Sequence, residues 1–385
     1  MTPPPELVRP LSVVVAGGGT TGHVAPMLAL ADCLRRRDAA TGVVALGTAA
    51  GLESRLVPEA GYELALIPRV PLPRKPSADL VRLPATLRGA VKAAQDAIEA
   101  AKADVVVGFG GYVSTPAYLA ARRAGVPIVV HEANARPGVA NRLGARLTPF
   151  VATAFPGTPL RGARVLGMPL RRAITTLDRA RLREEGLAFF GLEPGVPTVL
   201  VTGGSLGAQR LNVTLGAAAA DLASAGVQVL HAAGRGKTVD PHRGRHAAPP
   251  YVVVEYLDRM DLAYAVADLV VCRAGSGTVS ELTALGLPAA YVPLPIGNGE
   301  QRLNAEPVVR AGGGLLVDDA GCTPAWVKDT LVPLVADPQR LSAMGRASAE
   351  FGVRDGDERL ADLVAEAVAA GPSPRQERGR GERRR

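Results

Sequence analysis

The sequence predicts an α/β protein of two halves, each a doubly wound parallel sheet, and three observations carry that prediction. Short apolar runs alternate with helical periodicity along nearly all of the 385 residues, the pattern of βα units whose right-handed crossovers build parallel sheets. Two glycine-rich loops, Gly17-Gly18-Gly19-Thr20-Thr21-Gly22-His23 and Gly203-Gly204-Ser205-Leu206-Gly207-Ala208-Gln209, each follow an apolar strand and open a helix, one in each half. Aromatic residues are only 4% of the chain, so the core rests on Val, Leu and Ala, as in parallel sheets covered on both faces. The length exceeds the ~250–300 residues at which a single core stops growing, which implies two domains.

In order, the first half shows strands near 11–16, 42–46, 104–108, 126–131 and 150–154, with helices near 23–37, 51–59, 78–102, 114–124 and 138–145. Val24, Met27, Leu28, Ala31 and Leu34 give the first helix its apolar face. The second half shows strands near 197–202, 227–232, 251–255, 268–272, 288–292 and 314–317. Its helices fall near 207–224, 261–266, 277–285, 301–311 and 324–336, the first marked by Leu211, Leu215, Ala218 and Leu222. A proline-rich stretch, 156–196, holds the boundary, with a hinge near 170. The expected domains are 11–170 and 171–353, with a closing helix over about 354–369 that returns to the first. Residues 1–10 and 371–385 are expected to be disordered.

Cys33, Cys272 and Cys322 are far apart, with neither metal spacing nor a paired pattern, so a disulfide framework and a zinc site are both disfavoured and a reducing compartment is expected. The N-terminus lacks an apolar signal core, and no run reaches the ~18 apolar residues of a spanning helix. The formal charge is +8, and the segment 371–385 holds six arginines against two glutamates. No nucleic-acid-binding motif accompanies that charge, so nucleic acid is not an expected partner.

Strand–glycine–helix turns present backbone N–H groups and the positive end of a helix to an anion. Neither loop matches the dinucleotide fingerprint GxGxxG cleanly, although Gly17, Gly19 and Gly22 have its spacing, and neither ends in GK[ST], which disfavours ordinary dehydrogenase and kinase readings. Six motifs in register carry a more specific message: Gly18-Gly19-Thr20-Thr21-Gly22-His23-Val24-Ala25-Pro26, Gly108-Phe109-Gly110-Gly111-Tyr112-Val113-Ser114, His131-Glu132-Ala133-Asn134, Gly203-Gly204-Ser205-Leu206-Gly207-Ala208, Arg273-Ala274-Gly275-Ser276-Gly277-Thr278-Val279-Ser280-Glu281 and Gln301-Arg302-Leu303-Asn304-Ala305. Spread over about 300 residues, this set resembles the MurG family, within glycosyltransferase family 28. The resemblance implies the GT-B fold, two Rossmann-like domains facing across a cleft. It implies inverting transfer of N-acetylglucosamine from UDP-GlcNAc to lipid I, giving lipid II, at the cytoplasmic face of the bacterial membrane. Partners in a wall-synthesis complex are implied as well.

Carried onto this sequence, the resemblance makes Thr20, Gly22, Arg171, Ser205, Leu257, Arg273, Thr278, Glu281, Gln301 and Asn304 donor-binding. Thr20, His23, Tyr112 and Asn134 become acceptor-binding. Ser205 and the following helix suit the diphosphate, and Glu281, one turn into a helix, suits a ribose diol. Gln301 and Asn304 are amides that both donate and accept to sugar hydroxyls. Leu257 matches the position whose backbone reads uracil. Met168 stands where the family usually has Asn, and Glu300 where it often has Gln. His23, with an ordinary pKa of ~6.5, suits a proton acceptor near neutrality, and Glu132 is the rival base. The absence of an aspartate-rich motif means that no metal is required, with Mg2+ allowed for beside the diphosphate.

Residues 68–92 interleave Arg69, Arg74, Lys75, Arg82, Arg88 and Lys92 with Leu72, Leu80, Leu83 and Leu87. This is a means of docking on an anionic membrane surface, or else an amphipathic helix covering the sheet. The alternative functional class is another GT-B glycosyltransferase, acting on a glycolipid or natural product. Such an enzyme is expected to lack the Gly110-Gly111-Tyr112 and His131-Glu132-Ala133-Asn134 motifs. A non-catalytic scaffold is disfavoured by intact His23, Glu281 and Gln301.

Overall fold

The computed structural model describes residues 10–70, 79–204, 207–241, 249–296 and 298–372, those at 79–82 for the backbone only. The chain falls into two compact units, divided between Arg171 and Arg172 and again between Val353 and Arg354.

The first unit runs β1 (Ser12–Gly17), α1 (Thr21–Arg37), β2 (Gly42–Gly47), α2 (Glu53–Glu59), β3 (Glu63–Leu66), α3 (Asp79–Ala100), β4 (Val105–Gly110), α4 (Ser114–Ala124), β5 (Ile128–Glu132), α5 (Val139–Leu147), β6 (Val151–Thr153) and β7 (Ala163–Val165). Its seven strands lie in the order β3-β2-β1-β4-β5-β6-β7, all parallel. The period-2 alternation of β1 sends Val13 and Val15 to one face, with Met27, Leu30 and Leu34 of α1. It sends Val14 and Ala16 to the other, with Tyr118 of α4 and Val91 and Ile98 of α3. Both faces are therefore dry, which is why the strand reads as a continuous apolar run.

The second unit runs α6 (Arg172–Thr175), α7 (Arg179–Phe190), β8 (Thr198–Thr202), α8 (Gln209–Ala217), α9 (Ala219–Ser224), β9 (Gln228–Ala232), β10 (Tyr251–Val254), α10 (Met260–Val266), β11 (Leu269–Cys272), α11 (Ser276–Leu285), β12 (Ala289–Tyr291), α12 (Glu300–Arg310), β13 (Gly314–Leu316), α13 (Pro324–Trp326), a π-helical turn at Val327–Leu331, α14 (Val332–Val335) and α15 (Pro338–Glu350). The order is β10-β9-β8-β11-β12-β13, again all parallel. The last helix, α16 (Gly356–Ala370), returns to the first unit. There Leu360, Leu363, Val364 and Ala367 join the core beside α1.

Five elements fall outside the sequence expectation: β3, β7, α6, α7 and α15. β3, β7 and α6 are short, and α7 is weakly amphipathic. The burial of β3 and β7 is only partial, and α7 buries little beyond Gly186, Leu187 and Phe190. In α15 only Met344 and Ser348 are buried. The helix expected over 207–224 is two helices meeting at Ala218, and that over 324–336 contains the π turn. Among the described residues no helix is long and apolar enough to cross a membrane. Residues 1–9 and 373–385, which hold most of the two expected disordered ends, lie outside the described residues.

In each sheet the chain reverses its direction of winding between two adjacent strands, β1 and β4 in the first unit and β8 and β11 in the second. Ligands of doubly wound sheets bind beyond the carboxyl ends of the strands at such a point. Both glycine-rich loops occupy it.

Candidate functional site

In the first unit, three loops at the carboxyl ends of β1, β4 and β5 converge on His23. The loop after β1 packs against the loop after β4 so closely that a Cβ on Gly111, whose φ is +79°, would lie 2.3 Å from the Gly18 carbonyl oxygen. Only glycine meets both demands there. Ser114 ties the β4 end down: its hydroxyl reaches the carbonyls of Ala16 (2.9 Å) and Gly110 (2.8 Å), and the Gly110 N–H donates to it at 2.9 Å. Thr20 is the exposed cap residue of α1, and Gly22 is exposed in the first turn.

The geometry fixes the tautomer of His23. Nδ1 lies 3.1 Å from the Gly18 carbonyl oxygen and 3.2 Å from Thr20 Oγ1. A carbonyl only accepts, so Nδ1 carries the hydrogen and Nε2 holds the lone pair. No described residue hydrogen-bonds Nε2. Burial pulls the His23 pKa below its ordinary value, opposed by the Gly18 carbonyl and by the charges of Glu132 and Glu53. The imidazole is thus neutral at pH 7, with a basic nitrogen directed past Gly110.

Glu132, the expected rival base, is placed differently. It is 3% exposed, and its oxygens accept from the N–H of Asn134 (2.9 Å), the N–H of Gly138 (3.0 Å) and Nδ2 of Asn141 (3.0 Å). A carboxylate with three donors shapes the 132–138 loop. Asn134 is half-buried in that loop. Tyr112 is 40% exposed, its ring against Gly19 and beneath the Arg69 guanidinium, 5.2 Å from the centroid. His131 is fully buried. Its Nε2 donates to the Gly167 carbonyl at 3.0 Å, and burial lowers its pKa to about 4.

In the second unit, the other glycine loop leads into α8. Ser205 and Leu206 lie outside the described residues. Gly207 (φ +64°) must be glycine, since a Cβ would lie 2.0 Å from the Ala233 carbonyl oxygen. Lys237 Nζ donates to the Gly207 carbonyl at 3.4 Å. Thr278 and Glu281 are half-buried on α11, and Glu281 Oε2 accepts from the buried Tyr264 hydroxyl at 2.7 Å. Leu257 lines a surface cavity of about 220 Å³ with Phe189, Phe190, Val252, Val254 and Tyr256. The Arg235 guanidinium covers Tyr256 at 4.7 Å. Gln301 holds the β12–α12 loop, its Oε1 accepting from the Leu294 N–H at 2.9 Å.

Two expected donor ligands are turned inward. Asn304 is 1% exposed and its amide donates to the Ala274 carbonyl at 3.3 Å, tying α12 to the loop before α11. Arg273 Nη1 donates to the carbonyls of Val292 (3.0 Å) and Pro293 (3.2 Å) and is ion-paired with Asp319 at 2.6 Å. Both brace the ends of β11 and β12. Arg171 is the exposed last residue before the first unit's boundary.

Sequence reasoning missed Glu53, Ser114 and Asn141. Glu53, 1% exposed, accepts from the Gly19 N–H at 2.9 Å and from both the N–H (2.9 Å) and the hydroxyl (3.0 Å) of Thr48. Asn141 also donates to the His131 carbonyl and accepts from Tyr118. The one signal for Glu53 is that it follows Gly47-Thr48 and Gly51 at the end of a strand.

Of the expected basic and apolar stretch 68–92, residues 71–78 lie outside the described residues, as do the side chains at 79–82; Leu72, Arg74, Lys75, Leu80 and Arg82 fall there. Leu87 packs on the core, Leu83 is half-buried and Arg88 exposed, and Lys92 is paired with Asp96. Among the described residues, one group of side chains has metal-ligand spacing: Cys33, Asp357 and Glu358. Its carboxylates are held by Arg36 (2.7 and 3.0 Å) and Arg37 (2.7 Å), and so form an ion-pair network between α1 and α16.

Residues 13–153 match the glycosyltransferase family 28 N-terminal domain, and residues 198–360 match its C-terminal domain. The chain is 61% identical over 360 residues to the UDP-N-acetylglucosamine–N-acetylmuramyl-(pentapeptide) pyrophosphoryl-undecaprenol N-acetylglucosamine transferase of Streptomyces avermitilis, covering 94% of this chain and 99% of the relative. The transferase of the same name from Mycolicibacterium smegmatis is 56% identical over 367 residues, covering 94% and 95%. The crystal structure of Acinetobacter baumannii MurG matches with a TM-score of 0.76 at 28% identity, over 93% of this chain and 100% of that one. A UDP-GlcNAc 2-epimerase from Neisseria meningitidis, 14% identical with a TM-score of 0.65 over 92% of this chain and 100% of that one, shares the fold alone. The chain belongs to glycosyltransferase family 28, in its MurG branch, and is a two-domain enzyme of the GT-B fold.

Proposed function

We propose that this enzyme transfers N-acetylglucosamine from UDP-GlcNAc to the muramoyl C4 hydroxyl of lipid I, with inversion, to give the β1,4-linked disaccharide of lipid II. The observation that carries the reading is 61% identity, over 94% of this chain, to a transferase whose name states that donor and acceptor. The acceptor oxygen bonds to the anomeric carbon as the bond to the UDP oxygen breaks, and the hydroxyl proton passes to His23 Nε2. A neutral imidazole whose Nδ1 hydrogen is pinned by Gly18 is suited to that role. Glu132 holds the loop that bears Asn134, and the departing diphosphate is received at the glycine loop before α8. Glu281, oriented by Tyr264, takes the ribose hydroxyls, and Gln301 the sugar.

The enzyme works on the cytoplasmic face of the membrane, where a lipid-linked acceptor requires docking without crossing. Basic residues such as Arg69 and Arg88 favour an anionic surface, and partners of wall synthesis belong to the same setting. No resident metal is required. Transfer is expected to persist in excess EDTA, and a loss restored only by Mg2+ would overturn that point.

The reading is tested by incubating the purified enzyme with radiolabelled UDP-GlcNAc and a short-chain lipid I analogue. Label is expected in the lipid fraction, and UDP-glucose is expected to compete poorly. A chain that transfers to other glycolipids or to none overturns the assignment.

A further inference from the structure

We propose that Glu53 is a positioning residue of the transfer reaction: it holds the first glycine loop in the shape that presents His23 to the acceptor, and its charge stabilises the imidazolium formed when His23 takes the proton. The inference rests on the acceptor-site reading above and adds a residue to it. Glu53 opens α2, on the segment after β2, and reaches across to the loop after β1. Its Oε2 accepts the Gly19 N–H at 2.9 Å, and its Oε1 accepts both donors of Thr48.

The carboxylate sits in a pocket cleared for it. A Cβ on Gly18 would lie 2.8 Å from Oε1, one on Gly51 2.1 Å from it, and one on Gly47 2.5 Å from Cγ. Three glycines therefore make room for one buried anion. Burying a carboxylate is costly unless it is well bonded, and here both oxygens accept, so a glutamine would turn its NH2 toward one of these donors. The carboxylate brings charge as well as acceptors.

Glu132 is a second buried carboxylate whose charge acts on His23, and neither carboxylate hydrogen-bonds the ring. Both favour its protonated form, together with the Gly18 carbonyl and against burial. Glu53 itself is held below the usual carboxylate range: burial raises it, and the N–H groups of Gly19, Glu53 and Thr48 with the Thr48 hydroxyl lower it further. It therefore stays ionised through the working pH range. Among the described residues, Arg69 also stands near the loop, over the Tyr112 ring, and His131 is neutral in its buried site. As the acceptor loses its proton, positive charge grows on His23 in a poorly hydrated place, and a fixed negative charge nearby lowers the barrier.

The test compares Glu53→Gln and Glu53→Asp with the parent, measuring acceptor kcat/KM from pH 5 to 9, donor KM and thermal unfolding. The Gln variant is expected to keep the donor KM, to lose about tenfold or more in acceptor kcat/KM, and to move the acid midpoint of that profile down by roughly half a unit. The Asp variant keeps the charge but loses reach, so it is expected to lose rate with the midpoint unmoved. A Gln variant with the parent's acceptor kinetics, or with lower rates at an unmoved midpoint, overturns the proposal. Should the Gln variant fail to fold, an Asp variant with the parent's acceptor kcat/KM overturns it. A parent enzyme that fails to glycosylate lipid I would instead count against the proposed function.

Discussion

At the scale of single residues, the chemistry depends on which groups are committed and which are open. His23 stands in the first turn of α1 and Glu132 at the end of β5, and sequence alone left the base undecided between them. Hydrogen bonds separate them: Glu132 accepts from three donors, whereas His23 is bonded through Nδ1 and open at Nε2. His23→Gln is therefore expected to lower kcat about 10²–10⁴-fold, the usual contribution of a general base, with donor KM nearly unchanged. Steady-state kinetics at saturating acceptor check this, and a variant within fivefold of the parent's kcat would exclude His23 as the base. Asn304 and Arg273, whose residue types suit a sugar or nucleotide, each also donate to a backbone carbonyl inside the second unit, a contact that no sequence motif records.

At the scale of elements, strong periodicity made the sheets legible. The β1, β4, β8 and β11 runs are apolar on both faces because helices cover both, and the two glycine loops mark the turns at which winding reverses. The elements that escaped have weak patterns for physical reasons: β7 is a half-exposed edge carrying Arg164, and the buried face of α15 is narrow. Glu53 escaped because a buried glutamate in a first helical turn reads as an ordinary favourable charge near a helix N-terminus. The closing helix was legible, since Leu360, Leu363, Val364 and Ala367 recur at helical spacing. In the structure they are buried beside α1, with Arg36 and Arg37 ion-paired to Asp357, Glu358 and Asp362 at the rim. Leu360→Ala leaves a cavity in a fully buried site and is expected to destabilise the first unit by about 2–5 kcal/mol. Denaturant melts, followed with UDP binding as a report on the second unit, check it; a loss below 1 kcal/mol would mean that α16 is only loosely packed.

At the scale of the whole molecule, both units carry the same acid-sensitive device. His131 in the first and His231 in the second are buried, and burial lowers each to a pKa of about 4. His231 Nε2 faces Asn212 Oδ1 at 3.1 Å, and Nδ1 faces the Tyr251 hydroxyl at 2.8 Å. Asn212 Nδ2 is spent on the Ala233 carbonyl, so its Oδ1 accepts from Nε2–H and a neutral ring satisfies both contacts. Unfolded chains bind these protons near the ordinary value of ~6.5 while the folded units do not. Stability is therefore full above that value and falls as pH drops toward 4, by roughly 3 kcal/mol for each histidine. Unfolding midpoints measured between pH 7.5 and 4 are expected to fall for both units, and a flat profile would contradict the buried neutral assignment.

The central claim is that this chain joins a UDP-linked N-acetylglucosamine to the muramoyl sugar with inversion, His23 taking the proton. The most direct measurement is the anomeric configuration and linkage of the product made from UDP-GlcNAc and a lipid I analogue, read by NMR and compared between the parent and His23→Gln. The account requires a single β1,4-linked disaccharide from the parent and almost none from the variant; an α-linked product, or equal yields from the two proteins, would contradict it.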